Sequence, residues 1–292
     1  MSLRSIHDVV APAKLNLFLH VVGRRADGYH LLQSLFVLID WCDTLHFERR
    51  ADGRIARHDL DAALPADDLC LRAARALQAH SGSSMGVDIS IAKRVPWGAG
   101  MGGGSSDAAT TLLALNRLWG LNWPRARLLE LGLTLGADVP FFVGGRNAVV
   151  EGIGERLTPA PTPFQWLAVI KPDANLETSA IFGSPILIRN SEAARIESFA
   201  ENANQEVVTP GYGRNDLQAA AEAECAPVVR AAAVLHCRYG NSRMTGSGSA
   251  VFARAGSGVE PSAPMPEDLE PGWIGRMCRS LDEHPLVGWA AD

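Results

Sequence analysis

Five of the seven residues 98–104 are glycine, and the run leads through Ser105, Ser106 and Asp107 into an apolar helix pattern. The segment reads VPWGAGMGGGSSDAATTLLALNRLWG. Ala108, Leu112, Leu115 and Trp119 step by four, three and four, which is one stripe of an α-helix. Ser105, Ser106 and Asp107 are residue types that cap helix N-termini, so the helix is expected to begin near Ala108, with Gly120 as its stop. A glycine loop that empties into a helix N-terminus can bring several backbone N–H groups to one anion, and the helix adds about half a positive charge there. The constraint is therefore both structural and chemical: a tight loop, a buried helix and a place for polyphosphate.

Three readings of the loop compete. A Walker A loop needs a lysine before its last serine or threonine, and none is present. A dinucleotide GxGxxG can be laid over Gly98, Gly100 and Gly103. The acid it needs about twenty residues on is missing, since Leu121–Pro124 stands there. The plain alternative is a flexible loop, which seldom ends in an amphipathic helix. The phosphate cradle is retained: Pro96, Gly98, Gly100, Met101, Gly102, Gly103, Gly104, Ser105, Ser106 and Asp107 are its candidate residues.

The rest of the chain sets the frame. With 292 residues it is long enough for two ordinary domains, and 47% hydrophobic residues supply a large core. A net charge of −5 argues against a general nucleic-acid binder. Five scattered cysteines without a CxxC pair suggest neither a disulfide framework nor a zinc site. The first ten residues lack the apolar run of a signal peptide, and no apolar stretch reaches membrane-spanning length, so a cytoplasmic protein is expected. Strands are expected over Val9–Val22, Leu35–Ile39, Thr44–Phe47, Gly86–Ile91, Asn147–Leu157 and Trp166–Ile170. Helices are expected over Asp68–His80, Pro124–Leu135 and, as one long helix, Asp216–Leu235. The run PAPTP at 159–163 is the best linker, which gives domains 1–158 and 159–292.

Three other positions draw attention. Lys14 interrupts an apolar strand run, as either a solvated strand-end residue or a placed cation. Asp138 follows a helix-breaking glycine, as either a cap or a catalytic acid. Gly246-Ser247-Gly248-Ser249 is by itself a turn before a strand.

Taken together, Pro12–Leu17 (PAKLNL), Pro96–Asp107 and Thr245–Ser249 resemble the three ordered motifs of the GHMP kinases, over nearly the whole chain. The resemblance implies an α/β (α+β) architecture of two domains. The first is a ribosomal-protein-S5-like nucleotide-binding domain and the second a ferredoxin-like substrate-binding domain, with the C-terminus packing back on the first. It implies an ATP-dependent phosphotransferase with an alcohol acceptor, using Mg2+ with the nucleotide and no named protein ligand for the metal. Arg24–His30, Gly132–Pro140, Asn215–Leu217 and Met244–Gly248 resemble the branch whose acceptor carries a cytidine diphosphate and is phosphorylated on its 2-hydroxyl.

By that resemblance Asp138 is the base and Lys14 its cationic partner. Asn16, Thr178, Gly246 and Ser247 meet the acceptor. Tyr29 and Phe182 stack on the cytosine, and His30 reads its polar edge. Asp68, Asp107 and Ser179 depart from residues common in the branch. The expected partner is a small molecule, with neither nucleic acid nor membrane, and the chain is a monomer or homodimer. A kinase for homoserine or a mevalonate-like alcohol, a non-catalytic nucleotide sensor and a nicotinamide dehydrogenase remain the competing readings.

Overall fold

A computed structural model describes residues 3–61, 63–194 and 214–292. Two long antiparallel strands organise it: β1 (Ser5–Arg24) and β2 (His30–Arg50). The expected Leu35–Ile39 and Thr44–Phe47 strands are one continuous element, because Asp40 and Cys42 stay in the pleat and only bulges interrupt its pairing. Every residue from Ala11 to Leu19 is buried, so this part of β1 is covered on both faces. Each buried N–H and C=O must then be paired in the sheet, which favours uninterrupted strands.

β2 is the hub. It pairs with β1, β4 (Gly86–Ala92), β5 (Ala148–Gly152) and β10 (Ile274–Leu281). β3 (Ile55–Asp59) runs parallel to β4, and β6 (Arg156–Pro159) pairs with β5. β10 carries the sheet on to β7 (Trp166–Lys171), which pairs with β9 (Val251–Arg254), and β9 pairs with the two-residue β8 (Arg243–Met244). Among the described residues ten strands form one sheet: seven follow a single hydrogen-bonded path from β3 to β8 that joins the two halves of the chain, and β1, β5 and β6 branch from it.

Helices α1 (Leu69–Ser81), α2 (Gly103–Leu118), α3 (Arg125–Leu135) and α4 (Val139–Gly144) share one apolar cluster with β1, β2 and β4. Asp68 caps α1, its carboxylate accepting from Leu71 N–H. α2 begins five residues before the expected Ala108: its N-cap is Gly102, in the left-handed region (φ +72). Ser105, Ser106 and Asp107 are thus first-turn and second-turn residues, not caps. The apolar stripe starts at Ala108 because the glycines before it have no side chains to contribute to a stripe.

In the second half, α5 (Thr178–Gly183) follows β7. The expected helix over Asp216–Leu235 is two helices, α6 (Gln218–Glu224) and α7 (Ala226–Tyr239). Cys225 between them is extended, and Pro227 has no N–H to continue the first helix. These elements pack with β7 and β9 around a further apolar cluster. The last residues return to the first half, where Leu286 and Ala290 join its core as expected.

Candidate active site

The first motif is held in place by the other two. Lys14 N–H donates to the Met101 carbonyl (3.0 Å), which ties β1 to the glycine loop. Asn16 N–H donates to Thr245 Oγ1 (3.0 Å), and that hydroxyl donates to Asn16 Oδ1 (3.1 Å). The glycine loop and the 245–249 turn are stitched backbone to backbone: Ser249 N–H donates to Gly98 O and Ala250 N–H to Ala99 O, both at 3.2 Å. No side chain fits between them. A Cβ at Gly100 would run into the Thr245 carbonyl, and one at Gly246 would stand 2.7 Å from the Gly100 carbonyl. Both glycines also have positive φ.

Two cavities meet at this seam. One, of about 590 Å³, is lined by Leu64, Pro65, Asp68, Leu69, Lys93 and the loop from Pro96 to Ser105, with Asp107 and Thr178. The other, of about 350 Å³, contains Lys14, Asn16, Ser34, Phe36, Asp138, Phe182, Gly246 and Ser247. Gly98, Gly100, Gly102 and Thr178 face both. The first N–H groups of α2 have no partner within the helix and open toward the larger cavity, which suits a polyphosphate.

Asp138 is the N-cap residue of α4, but its side chain makes no capping bond. Its carboxylate is instead 3.5 Å from Lys14 Nζ and stays partly open to solvent, with 31% of the side chain exposed. Lys14 is buried, donates more tightly to Asn16 Oδ1 (2.7 Å) and sits over the Phe36 ring, 4.4 Å from its centroid. Burial pulls the Lys14 pKa below its ordinary value, against the opposing pull of Asp138. Asn16 is fixed in turn by Nδ2 donating to Ser34 Oγ (2.9 Å). Across the seam, the Thr178 and Ser247 hydroxyls are 2.8 Å apart.

The structure brings most of the candidate residues to one or both cavities, with particular differences. Ser106 does not line the larger cavity: it is fully buried and its hydroxyl donates to the Pro12 carbonyl (2.7 Å). Met101 contributes its backbone, since its side chain is buried in core. Asp107 is also buried, with one oxygen 2.5 Å from Lys93 Nζ and the other without a protein partner. Lys93 pairs with Asp43 as well. Burial raises the Asp107 pKa, and the neighbouring Asp43 adds to the rise while Lys93 opposes it. Asp68 bonds the Arg57 guanidinium (2.7 Å) besides capping α1.

Tyr29 and His30 line neither cavity. Tyr29 is 62% exposed on the turn before β2. His30 itself stacks on Phe182, with ring centroids 5.1 Å apart and planes at 26°. One face of the Phe182 ring is therefore covered by the histidine in this structure.

Sequence reasoning passed over Ser34, Phe36, Lys93 and Arg189. Leu32, Ser34 and Phe36 follow the period of two that puts residues on one face of a strand, and that signal was readable. Lys93, ahead of the glycine loop, was also a visible cation. Arg189, which reaches His30, had no local signal.

The family described as "GHMP kinases N terminal domain" matches residues 68–146. The 4-diphosphocytidyl-2-C-methyl-D-erythritol kinase of Methylibium petroleiphilum is 66% identical over 292 residues, covering 99% of this chain and 100% of that one. The chain belongs to the 4-diphosphocytidyl-2-C-methyl-D-erythritol kinase family. The kinase of that name from Albidiferax ferrireducens is 57% identical, with 99% and 96% of the two chains covered. A crystal structure of 4-(cytidine 5'-diphospho)-2C-methyl-D-erythritol kinase superposes on this kinase with a TM-score of 0.73 at 34% identity, covering 84% of this chain and 89% of that one. Homoserine kinase from Cytophaga hutchinsonii shares the fold, with a TM-score of 0.70 at 16% identity over 97% and 96% of the two chains. The mixed α/β architecture expected from the motifs is thus the architecture of the family.

Proposed function

We propose that this kinase transfers the γ-phosphoryl group of MgATP to the 2-hydroxyl of 4-diphosphocytidyl-2-C-methyl-D-erythritol, in the non-mevalonate route to isoprenoid precursors. The observation that carries the reading is the Lys14–Asp138 pair, 3.5 Å apart, beside the glycine wall shared by the two cavities. The larger cavity takes ATP, with its phosphates on the N–H groups of residues 98–105. The smaller takes the acceptor alcohol. Asp138 accepts the hydroxyl proton as the oxygen bonds to phosphorus and ADP departs, an effect typically of about 10²–10⁴-fold. Lys14 balances the carboxylate and the charge that develops on the transferred group.

Asn16, Thr178, Gly246 and Ser247 position the alcohol, and Tyr29, His30 and Phe182 bind the cytidine. Among the described residues no group of three His, Cys, Asp or Glu side chains could hold a metal ion. A magnesium ion suits the triphosphate itself, since it commonly keeps its waters and binds through substrate phosphates. The division at 158/159 is part of the reading; it falls inside β6, one residue ahead of the irregular stretch 160–165. The acceptor cavity nevertheless draws on both halves, from Lys14 to Gly248. No helix of the described residues is long and apolar enough to cross a membrane, in keeping with work in the cytoplasm.

The test is ADP release from MgATP with 4-diphosphocytidyl-2-C-methyl-D-erythritol, homoserine and mevalonate as parallel acceptors. Selective turnover of the cytidyl compound is expected. Turnover of another alcohol instead would keep the kinase and overturn the cytidine site.

A further inference from the structure

Asn16 and Ser34 are polar residues in the apolar stretch where β1 pairs with β2, only 1% and 2% exposed. Buried polar atoms need partners, and theirs form one chain. The Ser34 hydroxyl is 2.5 Å from the Phe18 carbonyl, and Asn16 Nδ2 is 2.9 Å from the same hydroxyl. A carbonyl can only accept, so the one hydroxyl hydrogen goes to Phe18. Ser34 Oγ must then receive a bond from Asn16, and only the NH2 end of an amide can give it. Asn16 is therefore turned with its NH2 toward Ser34 and its carbonyl the other way. There Oδ1 accepts from Lys14 Nζ (2.7 Å) and from the Thr245 hydroxyl (3.1 Å).

The reverse orientation fails at both ends. The NH2 would face the Lys14 ammonium, donor against donor. The amide carbonyl would need the Ser34 hydrogen and would take it from the Phe18 carbonyl. In the orientation observed, Ser34 takes one of the two hydrogens on Nδ2. The other meets no acceptor among the described residues, and Asn16 borders the cavity that holds Lys14 and Asp138. That hydrogen is left for the acceptor alcohol. Among the described residues the charged group facing Lys14 is Asp138, at the head of α4. β2 presents the Phe36 ring, and the glycine loop presents Gly102, which has no side chain. Asn16 Oδ1 is thus a nearer acceptor than Asp138 for an ammonium whose pKa burial lowers.

We propose that Ser34 is a positioning residue for the phosphoryl transfer: by fixing the direction of the Asn16 amide, it keeps a carbonyl on the Lys14 ammonium and an N–H for the oxygen of the acceptor alcohol. The catalytic role rests on the function proposed above; the direction of the amide does not. In that reaction the alcohol oxygen bonds to the γ-phosphorus, its proton passes to Asp138, and the bond to the ADP oxygen breaks. The amide N–H holds the alcohol oxygen on the line of attack. The ammonium, kept charged by the amide carbonyl, balances the phosphoryl oxygens.

Ser34→Ala frees the amide to turn. With the full-length chain, kcat for the cytidyl alcohol is expected to fall about tenfold, the rate equivalent of one good hydrogen bond, with the KM for ATP unchanged. A turned amide opposes the Lys14 charge, so the alkaline limb of the pH–rate profile should move to lower pH. Ser34→Thr keeps the hydroxyl and suits a strand, and it should restore both. Near-normal turnover in Ser34→Ala would overturn the proposal. So would a fall in turnover with the alkaline limb unmoved, which is the mark of a merely structural loss, or a threonine variant as impaired as the alanine one. If the alanine variant does not fold, the unmodified chain labelled with 15N at asparagine decides the matter. The Asn16 side-chain amide hydrogens should show nuclear Overhauser contacts to the Ser34 β-hydrogens; contacts to the Lys14 ε-hydrogens instead would show the reverse orientation and overturn the proposal. No turnover of the cytidyl alcohol by the unmodified chain would overturn the function proposed above and the catalytic half of this one, while the amide contacts still decide the orientation.

Discussion

The main-chain N–H of Asn16 donates to the Thr245 hydroxyl at 3.0 Å, joining residues 229 positions apart. Thr245 is fully buried, and its hydroxyl also serves Asn16 Oδ1. The first and third motifs therefore share one side-chain atom, and the register of Lys14 against the glycine loop depends on it. Thr245→Val keeps the shape but leaves the Asn16 N–H without its partner. It is expected to cost about 1–3 kcal/mol of stability, read from denaturant unfolding, and to lower turnover as Asn16 shifts. Unchanged stability would show that the Asn16 N–H finds another acceptor and that the Thr245 hydroxyl is not what holds the two motifs together.

Asp138→Asn preserves size and the N-terminal turn of α4 but cannot accept a proton. Turnover is expected to fall by at least about 10²-fold while ATP binding, measured by calorimetry, is spared. Near-normal turnover would remove Asp138 from the role of base.

Lys14 offers two signals of opposite sign. Burial lowers its pKa, so the charged form is disfavoured in the folded chain. As pH rises through that lowered value, activity that needs the ammonium is expected to decline, below the ordinary lysine pKa of about 10.4. Over the same window the unfolded chain holds more protons at this site, so its contribution to stability is expected to rise with pH. Lys14→Met should abolish the stability trend along with most activity. A pH-rate profile and urea midpoints in the same buffers check both.

Asp107 shares one lysine with Asp43, so the cluster contains two carboxylates and one cation. Its raised pKa means that the folded chain keeps a proton that the unfolded chain releases. The stability linked to that proton is full below an ordinary carboxylate pKa of about 4 and is lost as pH rises through the raised value. Asp107→Asn should flatten this slope and raise the melting temperature above the window relative to the unmodified chain. Equal slopes would show that Lys93 keeps Asp107 ionised.

The glycine loop, the helix after it and the strand character of the first fifty residues were legible because each depends on neighbours in sequence. Glycines permit the turns, the four–three–four stripe marks α2, and alternation marks β1 and β2. The start of α2 at Gly103 was not legible, since its left-handed cap, Gly102, has no side chain to announce it. Nor was the break at Cys225, where alanine-rich composition outweighed the proline that follows.

By itself, the order of the three motifs determined that the chain folds as a GHMP-type kinase with a glycine loop, and the resemblance put forward Lys14 and, from the 132–140 segment, Asp138 as site candidates. Only the tertiary structure decided that Lys14 grips Asn16 more tightly than Asp138, that Ser106 turns away to Pro12, and that Arg189 reaches His30 across 159 residues. The physical reason is range. Propensity and periodicity act within a few turns of chain, whereas a buried polar group takes its partner from whatever the packed fold brings within about 3 Å.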